Sequence, residues 1–94
     1  MINNVGYVTQ IENDIRRILK TLLSKNVEIE IDQDNDSTVI IARYGNYRNA
    51  YIFKNKNSST YQIDLYGVMG DDEITLFFSS QSSVINFLNN NFFG

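Results

Sequence analysis

Five carboxylates stand at every second position in one stretch of this chain, and this regular spacing is its most specific chemical feature. We call them the acidic ridge: Glu28, Glu30, Asp32, Asp34 and Asp36. On an extended strand, alternate side chains share one face and lie about 6.5–7 Å apart. That spacing is similar to the phosphate repeat along a nucleic-acid strand, which favours a basic, nucleic-acid-handling protein as the partner. The competing interpretation is a solvated outer face that keeps an amphipathic strand soluble.

The end of the ridge, residues 32–36, also matches the first half of a calcium-binding loop, in which alternate carboxylates converge on one cation. The rest of that pattern fails. Ser37 occupies the position where the sharp turn needs glycine, and Arg43 occupies that of the bidentate glutamate. We therefore predict a solvated acidic turn, with no metal and no cofactor.

A hairpin predicted near the middle of the chain carries the second candidate site. Its tip, Arg43–Arg48, reads RYGNYR, and Gly45-Asn46 suits a two-residue turn. Arginine and tyrosine are among the residue types that most often anchor protein interfaces. The residues predicted to bind a partner at the tip and on the adjoining aromatic face are Arg43, Tyr44, Tyr47, Arg48, Tyr51 and Phe53. The alternative is an ordinary solvated hairpin with cross-strand aromatic pairs.

Pairing at the turn decides which side chains of the hairpin share a face. If Tyr44 pairs with Tyr47, one face carries Ile40, Ala42, Tyr44, Tyr47, Tyr51 and Phe53, and the other carries Val39, Ile41, Ala50 and Ile52. Both faces are then apolar, and two helices cannot easily cover both. We expect either that the sheet curls around its own side chains or that one face meets a partner, which includes a second copy of the chain.

Apolar residues recur at helical spacing near both ends of the chain and alternate between them. We predict a helix over residues 9–25, begun by a capping box of Thr9 and Glu12. An earlier start is the alternative, because Val5 and Val8 continue the apolar stripe. The predicted strands are 27–32, 38–44, 47–54, 60–66 and 73–79. Serines 79–82 offer caps for a closing helix. The predicted fold is α+β, with an N-terminal helix, a five-stranded antiparallel meander and a C-terminal helix (α-β-β-β-β-β-α).

The chain has 94 residues, of which 43% are hydrophobic, enough for one core and one domain over residues 1–94. The predicted core consists of Ile11, Ile15, Ile18, Leu22, Ile29, Ile31, Ile41, Ile52, Ile63, Leu76 and Leu88.

Catalytic groups are scarce in this sequence. It contains no histidine and no cysteine, which removes the commonest general base and the commonest thiol nucleophile. No glycine-rich phosphate loop or nucleophile elbow is present. We predict that the protein is not an enzyme. A small ligand-binding domain, or an enzyme that uses carboxylates, is the remaining alternative.

The overall charge limits the partners. A net charge of −3 and a pI near 4.7 argue against direct binding of nucleic acid, which favours a basic surface. No stretch approaches the length of a membrane span and no leader segment is evident, so we expect a cytoplasmic protein that does not bind membranes.

In size, acidity and lack of catalytic residues the chain resembles small proteins of phages and mobile elements that block host machinery, including anti-CRISPR proteins and immunity proteins. The resemblance implies a non-enzymatic inhibitor of host or rival machinery that acts by binding a protein. The alternative from a different class is a self-associating structural or accessory subunit, a homodimer in its simplest form.

Overall fold

A computed structural model describes residues 4–46, 48–68 and 73–93, with side chains of the first helix described from residue 11 onwards. In chain order, the elements are α1 (Asn4–Leu23), β1 (Glu28–Gln33), β2 (Ser37–Tyr44), β3 (Arg48–Asn55), β4 (Tyr61–Tyr66), β5 (Ile74–Phe78) and α2 (Gln81–Phe87). A π-helical turn, Leu88–Phe92, continues α2 directly. The predicted α+β order of helix, five strands and helix is confirmed.

All five strands form one antiparallel sheet in the order β1-β2-β3-β4-β5, so every strand pairs with its neighbour in sequence. Short connections between successive strands favour this meander. The predicted antiparallel meander is therefore confirmed, with β1 and β5 as its two edges.

Both helices cover the same face of the sheet, which we call the covered face. Its side chains alternate along each central strand and are almost fully buried: Thr38, Ile40 and Ala42 on β2, Ala50, Ile52 and Lys54 on β3, and Tyr61, Ile63 and Leu65 on β4. From the helices, the same core receives Ile15, Ile18, Leu22, Val84, Leu88 and Phe92. The alternate side chains of the strands form the opposite face, the open face, against which no described helix packs.

The pairing of the central hairpin differs from the predicted one. Tyr44 lies opposite Arg48, so three residues, 45–47, connect the strands instead of two. Because alternate side chains point to opposite faces, this shift of one residue moves every side chain of β3 relative to β2. Tyr51 and Phe53 therefore share the open face with Val39 and Ile41, and the prediction that they share a face with Tyr44 is wrong.

Burial explains why this register forms. In the observed pairing Ile40 lies opposite Ile52 and Ala42 lies opposite Ala50, and all four are at most 1% exposed. The predicted pairing would have placed Ile40 and Ile52 on opposite faces. The free energy of burying both isoleucines under the helices favours the observed register.

Most of the predicted core is buried, and two residues are corrections. Ile11, Ile15, Ile18, Leu22, Ile52, Ile63 and Leu88 are buried, and Ile29 and Leu76 pack half-buried against the core. Ile31 is 47% exposed, because β1 is an edge strand and most of its side chains face solvent. Ile41 is half-buried on the open face.

The first helix takes the earlier of the two starts that the sequence allowed, with Val5 and Val8 inside it. It starts at Asn4, so Thr9 lies within the helix and the capping box predicted from Thr9 and Glu12 is wrong. Glu12 instead forms an exposed ion pair with Arg16 one turn later, at 3.4 Å.

Candidate interaction surface

The open face combines an apolar centre with an acidic border. Its members, in strand order, are Glu28, Glu30 and Asp32; Val39, Ile41 and Arg43; Asn49, Tyr51 and Phe53; Gln62, Asp64 and Tyr66; Thr75 and Phe77. Residues that lie opposite each other in an antiparallel pair point to the same side, so the register fixes this membership. The central strands supply the apolar side chains, and β1 supplies most of the charge.

Aromatic rings make up much of the apolar centre. Tyr51 and Tyr66 pack edge to face with 5.5 Å between ring centroids. Phe53 lies two residues after Tyr51 on the same face of β3, and Phe77 on β5 is 65% exposed. Tyr51 and Phe53 were predicted as partner-binding residues. This placement on a face without a helix leaves them accessible from solvent.

The acidic ridge divides into two parts, because β1 ends at Gln33. Glu28, Glu30 and Asp32 lie on the strand and point to the open face, all exposed. Asp34 and Asp36 lie in the turn that follows. The structure therefore does not bring all five carboxylates onto one straight strand, as the predicted ridge required.

Asp34 holds the turn together. Its Oδ1 accepts hydrogen bonds from the backbone N–H groups of Asp36 and Ser37, both at 2.8 Å. These two bonds favour the ionised carboxylate and hold the pKa of Asp34 below its ordinary value of 3.8. The role visible for Asp34 is thus in local folding, and it is a poor choice for a substitution that tests binding.

A further carboxylate of the open face, Asp64, lies on β4, one strand in from the β5 border. Asp64 accepts hydrogen bonds from Thr75 Oγ1 at 2.9 Å and Gln62 Nε2 at 3.1 Å. A hydrogen bond to Glu73 raises the pKa of the Tyr66 hydroxyl, with Asp64 adding to the effect. Negative charge therefore also lies among the aromatic residues, between Tyr51 on β3 and Thr75 on β5.

The two arginines of the hairpin tip lie on different faces. Arg43 is on the open face, 3.4 Å from the carboxylate of Glu30, in an exposed ion pair. Arg48 is on the covered face, where its Nη1 donates a hydrogen bond to the carbonyl of Phe92 at 2.9 Å. The structure therefore does not bring the two predicted partner-binding arginines onto one surface, and Arg48 ties the C-terminal turn to the sheet.

Tyr44 also belongs to the covered face. Its ring lies 5.8 Å from that of Phe92 and 5.2 Å from that of Phe93, centroid to centroid. It contributes to the packing of the C-terminal segment and is not part of the open face. Tyr47, also predicted to bind a partner, lies outside the described residues.

A polar depression of about 570 Å³ opens on the other side of the molecule and is lined in part by Asp14, Lys54 and Tyr61. The Lys54 side chain is only 5% exposed; it donates to Asp14 Oδ2 at 3.3 Å and to the carbonyls of Asn55 and Ser58. With three donors and three acceptors, this lysine is fully occupied in joining α1 to the sheet. The hydroxyl of Tyr61 donates to the Asp14 carbonyl at 2.7 Å, and burial raises its pKa.

Sequence reasoning missed several members of the open face: Val39, Ile41, Asp64, Tyr66 and Phe77. Tyr66 and Phe77 could have been found from strand alternation, because each follows an inward leucine, Leu65 or Leu76, and so takes an outward position. Val39 and Ile41 carry no such signal, since residues 39–42 are all apolar and do not alternate with polar ones.

Two further findings limit the chemistry of the described residues. No three acidic side chains among them are grouped so as to hold a metal ion. Within the same residues, no helix combines the length and apolar character that crossing a membrane requires.

Comparison with known proteins found no matching family model, no matching curated protein and no matching solved structure, so the function proposed below rests on the chemistry of the open face.

Proposed function

We propose that this protein is a non-enzymatic protein-binding domain that uses its open face to occupy a basic surface on another protein. The observation that supports this most is the composition of that face, which combines half-buried and exposed aromatic rings with carboxylates along its β1 border and at Asp64 on β4. An apolar centre within a polar rim is the usual arrangement of a protein interface.

Charge defines the partner. Among the described residues, the carboxylates of this surface are Glu28, Glu30 and Asp32 on β1, Asp64 on β4 and Glu73 just before β5, and Arg43 is the one cation beside them. A surface of this kind attracts lysine- and arginine-rich grooves and repels nucleic acid itself. The same grooves bind phosphate backbones, so the protein would compete with nucleic acid for its target.

The apolar centre supplies the specificity that charge alone lacks. Tyr51, Phe53 and Phe77 present aromatic area that loses water when a partner covers it. Buried aromatic residues near the middle of an interface commonly carry most of its binding energy. We expect the partner to place an apolar side chain over these rings and its basic residues over the carboxylates of β1.

An inhibitor is the form of this function that the size and charge of the chain favour. A small acidic domain that covers a nucleic-acid-binding groove needs no catalytic residues, and it acts by occupancy alone. This agrees with the resemblance to phage-encoded inhibitors and immunity proteins noted from the sequence.

The test begins with capture of a partner from bacterial proteins retained on heparin, a fraction rich in basic, nucleic-acid-binding proteins. Association rates with the captured partner are then measured for the wild type and for Glu28→Gln/Glu30→Gln. At low salt, we expect that variant to associate with the partner about threefold or more slowly than the wild type does. Rising salt should slow the association of the wild type, because it screens the same charges. Nucleic acid added to the partner should block binding.

A matched control is available on α1 and in the acidic turn. Glu12→Gln/Asp36→Asn also removes two exposed carboxylates, and Glu12 forms a surface ion pair as Glu30 does. Its association rate should stay close to that of the wild type. Equal slowing in both variants would mean that net charge matters and the open face does not. If, in addition, Tyr51→Ala bound the partner with the affinity of the wild type, binding would be assigned to another surface.

A further inference from the structure

The two edges of the sheet differ sharply in charge. Along its length, β1 carries three carboxylates, at Glu28, Glu30 and Asp32, whereas β5 (Ile74–Phe78) carries no charged residue. Proteins commonly protect an edge strand from pairing by placing charges along it. In this chain one edge has that protection and the other does not.

The β5 edge is also accessible. Phe77 is 65% exposed and Thr75 is exposed. Among the described residues, β4 is the strand that pairs with β5, and no turn or loop backbone forms a hydrogen bond to Ile74–Phe78. An edge strand leaves alternate N–H and C=O groups pointing away from the sheet, where another strand can accept and donate the missing bonds.

We propose that β5 pairs antiparallel with β5 of a second copy of this chain across a two-fold axis, which joins two sheets into one continuous sheet. The proposal does not depend on the partner of the open face. It concerns an edge of the sheet, and it differs from the homodimer through the aromatic face that the sequence suggested.

The strand is complementary to itself in this arrangement. A pairing centred on Leu76 uses all five residues of β5 and places Thr75 opposite Phe77 of the second copy. Ile74 then lies opposite Phe78 of the second copy. No charged side chain lies opposite a like charge, and β-branched residues meet aromatic ones, which are favourable cross-strand pairs.

Charge on the remaining edges explains why assembly would stop at two copies. After pairing, both outer edges of the joined sheet are β1 strands, and their carboxylates repel any further β1 edge. A two-fold contact between identical surfaces closes on itself in this way. A short strand buries little area, so the dimer should dissociate on dilution.

Joining the strands also extends the open face. Opposite residues of an antiparallel pair point to the same side, so the two open faces become one surface with Phe77 of each copy near the axis. Each copy carries a net charge of −3, so added salt should strengthen the dimer by screening repulsion. Salt should weaken the acidic binding proposed for the open face, so the two associations have opposite signatures.

Sedimentation over a wide range of protein concentration tests the proposal, with Phe77→Lys as the disrupting variant. Two lysines would then lie close to the axis, and we expect the dissociation constant to rise at least about tenfold. Leu23→Lys is the matched control, because Leu23 at the end of α1 is 71% exposed and lies away from β5. It makes the same change of charge and should leave the dimer intact.

Hydrogen exchange on the wild type locates the contact without any substitution. Amides of β5 should become more protected as concentration rises, and amides of β1 should not. A protein that stays monomeric at millimolar concentration would overturn the proposal, even if β5 pairs with a strand of a foreign protein. A dimer that persists in Phe77→Lys would also overturn it. The same holds for a dimer in which the amides that gain protection from exchange lie outside β5.

Discussion

Along β2 and β3 the two faces of the sheet carry similar apolar side chains, but only the covered face is closed off from water. Ile40 and Ile52 are at most 1% exposed there, whereas Val39 and Ile41 on the open face remain half-buried. The difference comes from the helices, which pack on the covered face alone. The contribution of an apolar residue to stability should therefore follow its face more than its type.

The largest expected effect contrasts two isoleucines that point to opposite sides. Ile52→Ala should lower the free energy of unfolding by about 2–5 kcal/mol, because it opens a cavity under the helices. Ile41→Ala should cost about 1 kcal/mol or less, since its side chain already meets water. Urea denaturation of both variants measures the contrast. Equal costs would show that the open face is also closed off, by curling of the sheet or by another chain.

A smaller contrast separates the two arginines of the hairpin. Arg48→Met keeps the apolar stem but leaves the Phe92 carbonyl without its charged donor, which should cost about 1.5–3 kcal/mol. Arg43→Met breaks only an exposed ion pair with Glu30, worth about 0–1 kcal/mol. Thermal melting of the two variants under the same conditions gives the comparison. If Arg43→Met proved the more costly, the assignment of the arginines to their faces would be reversed.

The smallest expected effect is a pH dependence in the acidic turn. Because folding lowers the pKa of Asp34 from 3.8, its stabilisation is complete above that value and is lost as pH falls through the lower, folded-state pKa. The stability gap between wild type and Asp34→Ala should therefore be widest near neutral pH and should narrow on acidification below about pH 4. Denaturation at a series of pH values measures this gap.

Asp36→Ala serves as the control for that experiment. It removes a neighbouring carboxylate from the same turn without removing the acceptor of the two backbone bonds. A gap of the same size and pH dependence for Asp36→Ala would mean that general charge in the turn, and not the bonds to Asp34, sets the stability.

The order and type of the elements could be predicted because each carries its own periodic signal. Apolar spacing in α1 matches the helical repeat, and alternation in β1 and β4 matches that of a strand. The closing helix follows from Ser80, whose side chain caps α2 as an acceptor for the Ser83 N–H. Short connections between strands then leave the meander as the simplest arrangement.

The candidate site could be predicted only in part. Glu28, Glu30 and Asp32 were assigned to one face of β1, and the structure confirms that face. Asp34 leaves the set because backbone groups of the turn engage it, an interaction that exists only once the turn has formed. Arg48 is drawn to the covered face by a carbonyl 44 residues away, which spacing along the chain does not reveal.

By itself, the sequence determined the α+β composition, the order of the strands and the acidic character of one edge, since these depend on local periodicity and charge. Only the tertiary structure decided the register of the β2–β3 hairpin, and with it which aromatic residues face solvent. Both faces of that hairpin are apolar, so its turn residues allow two pairings that differ by one residue. Helices that bury Ile40 opposite Ile52 select one of them, and this choice turns Tyr51 and Phe53 outward and Tyr44 inward.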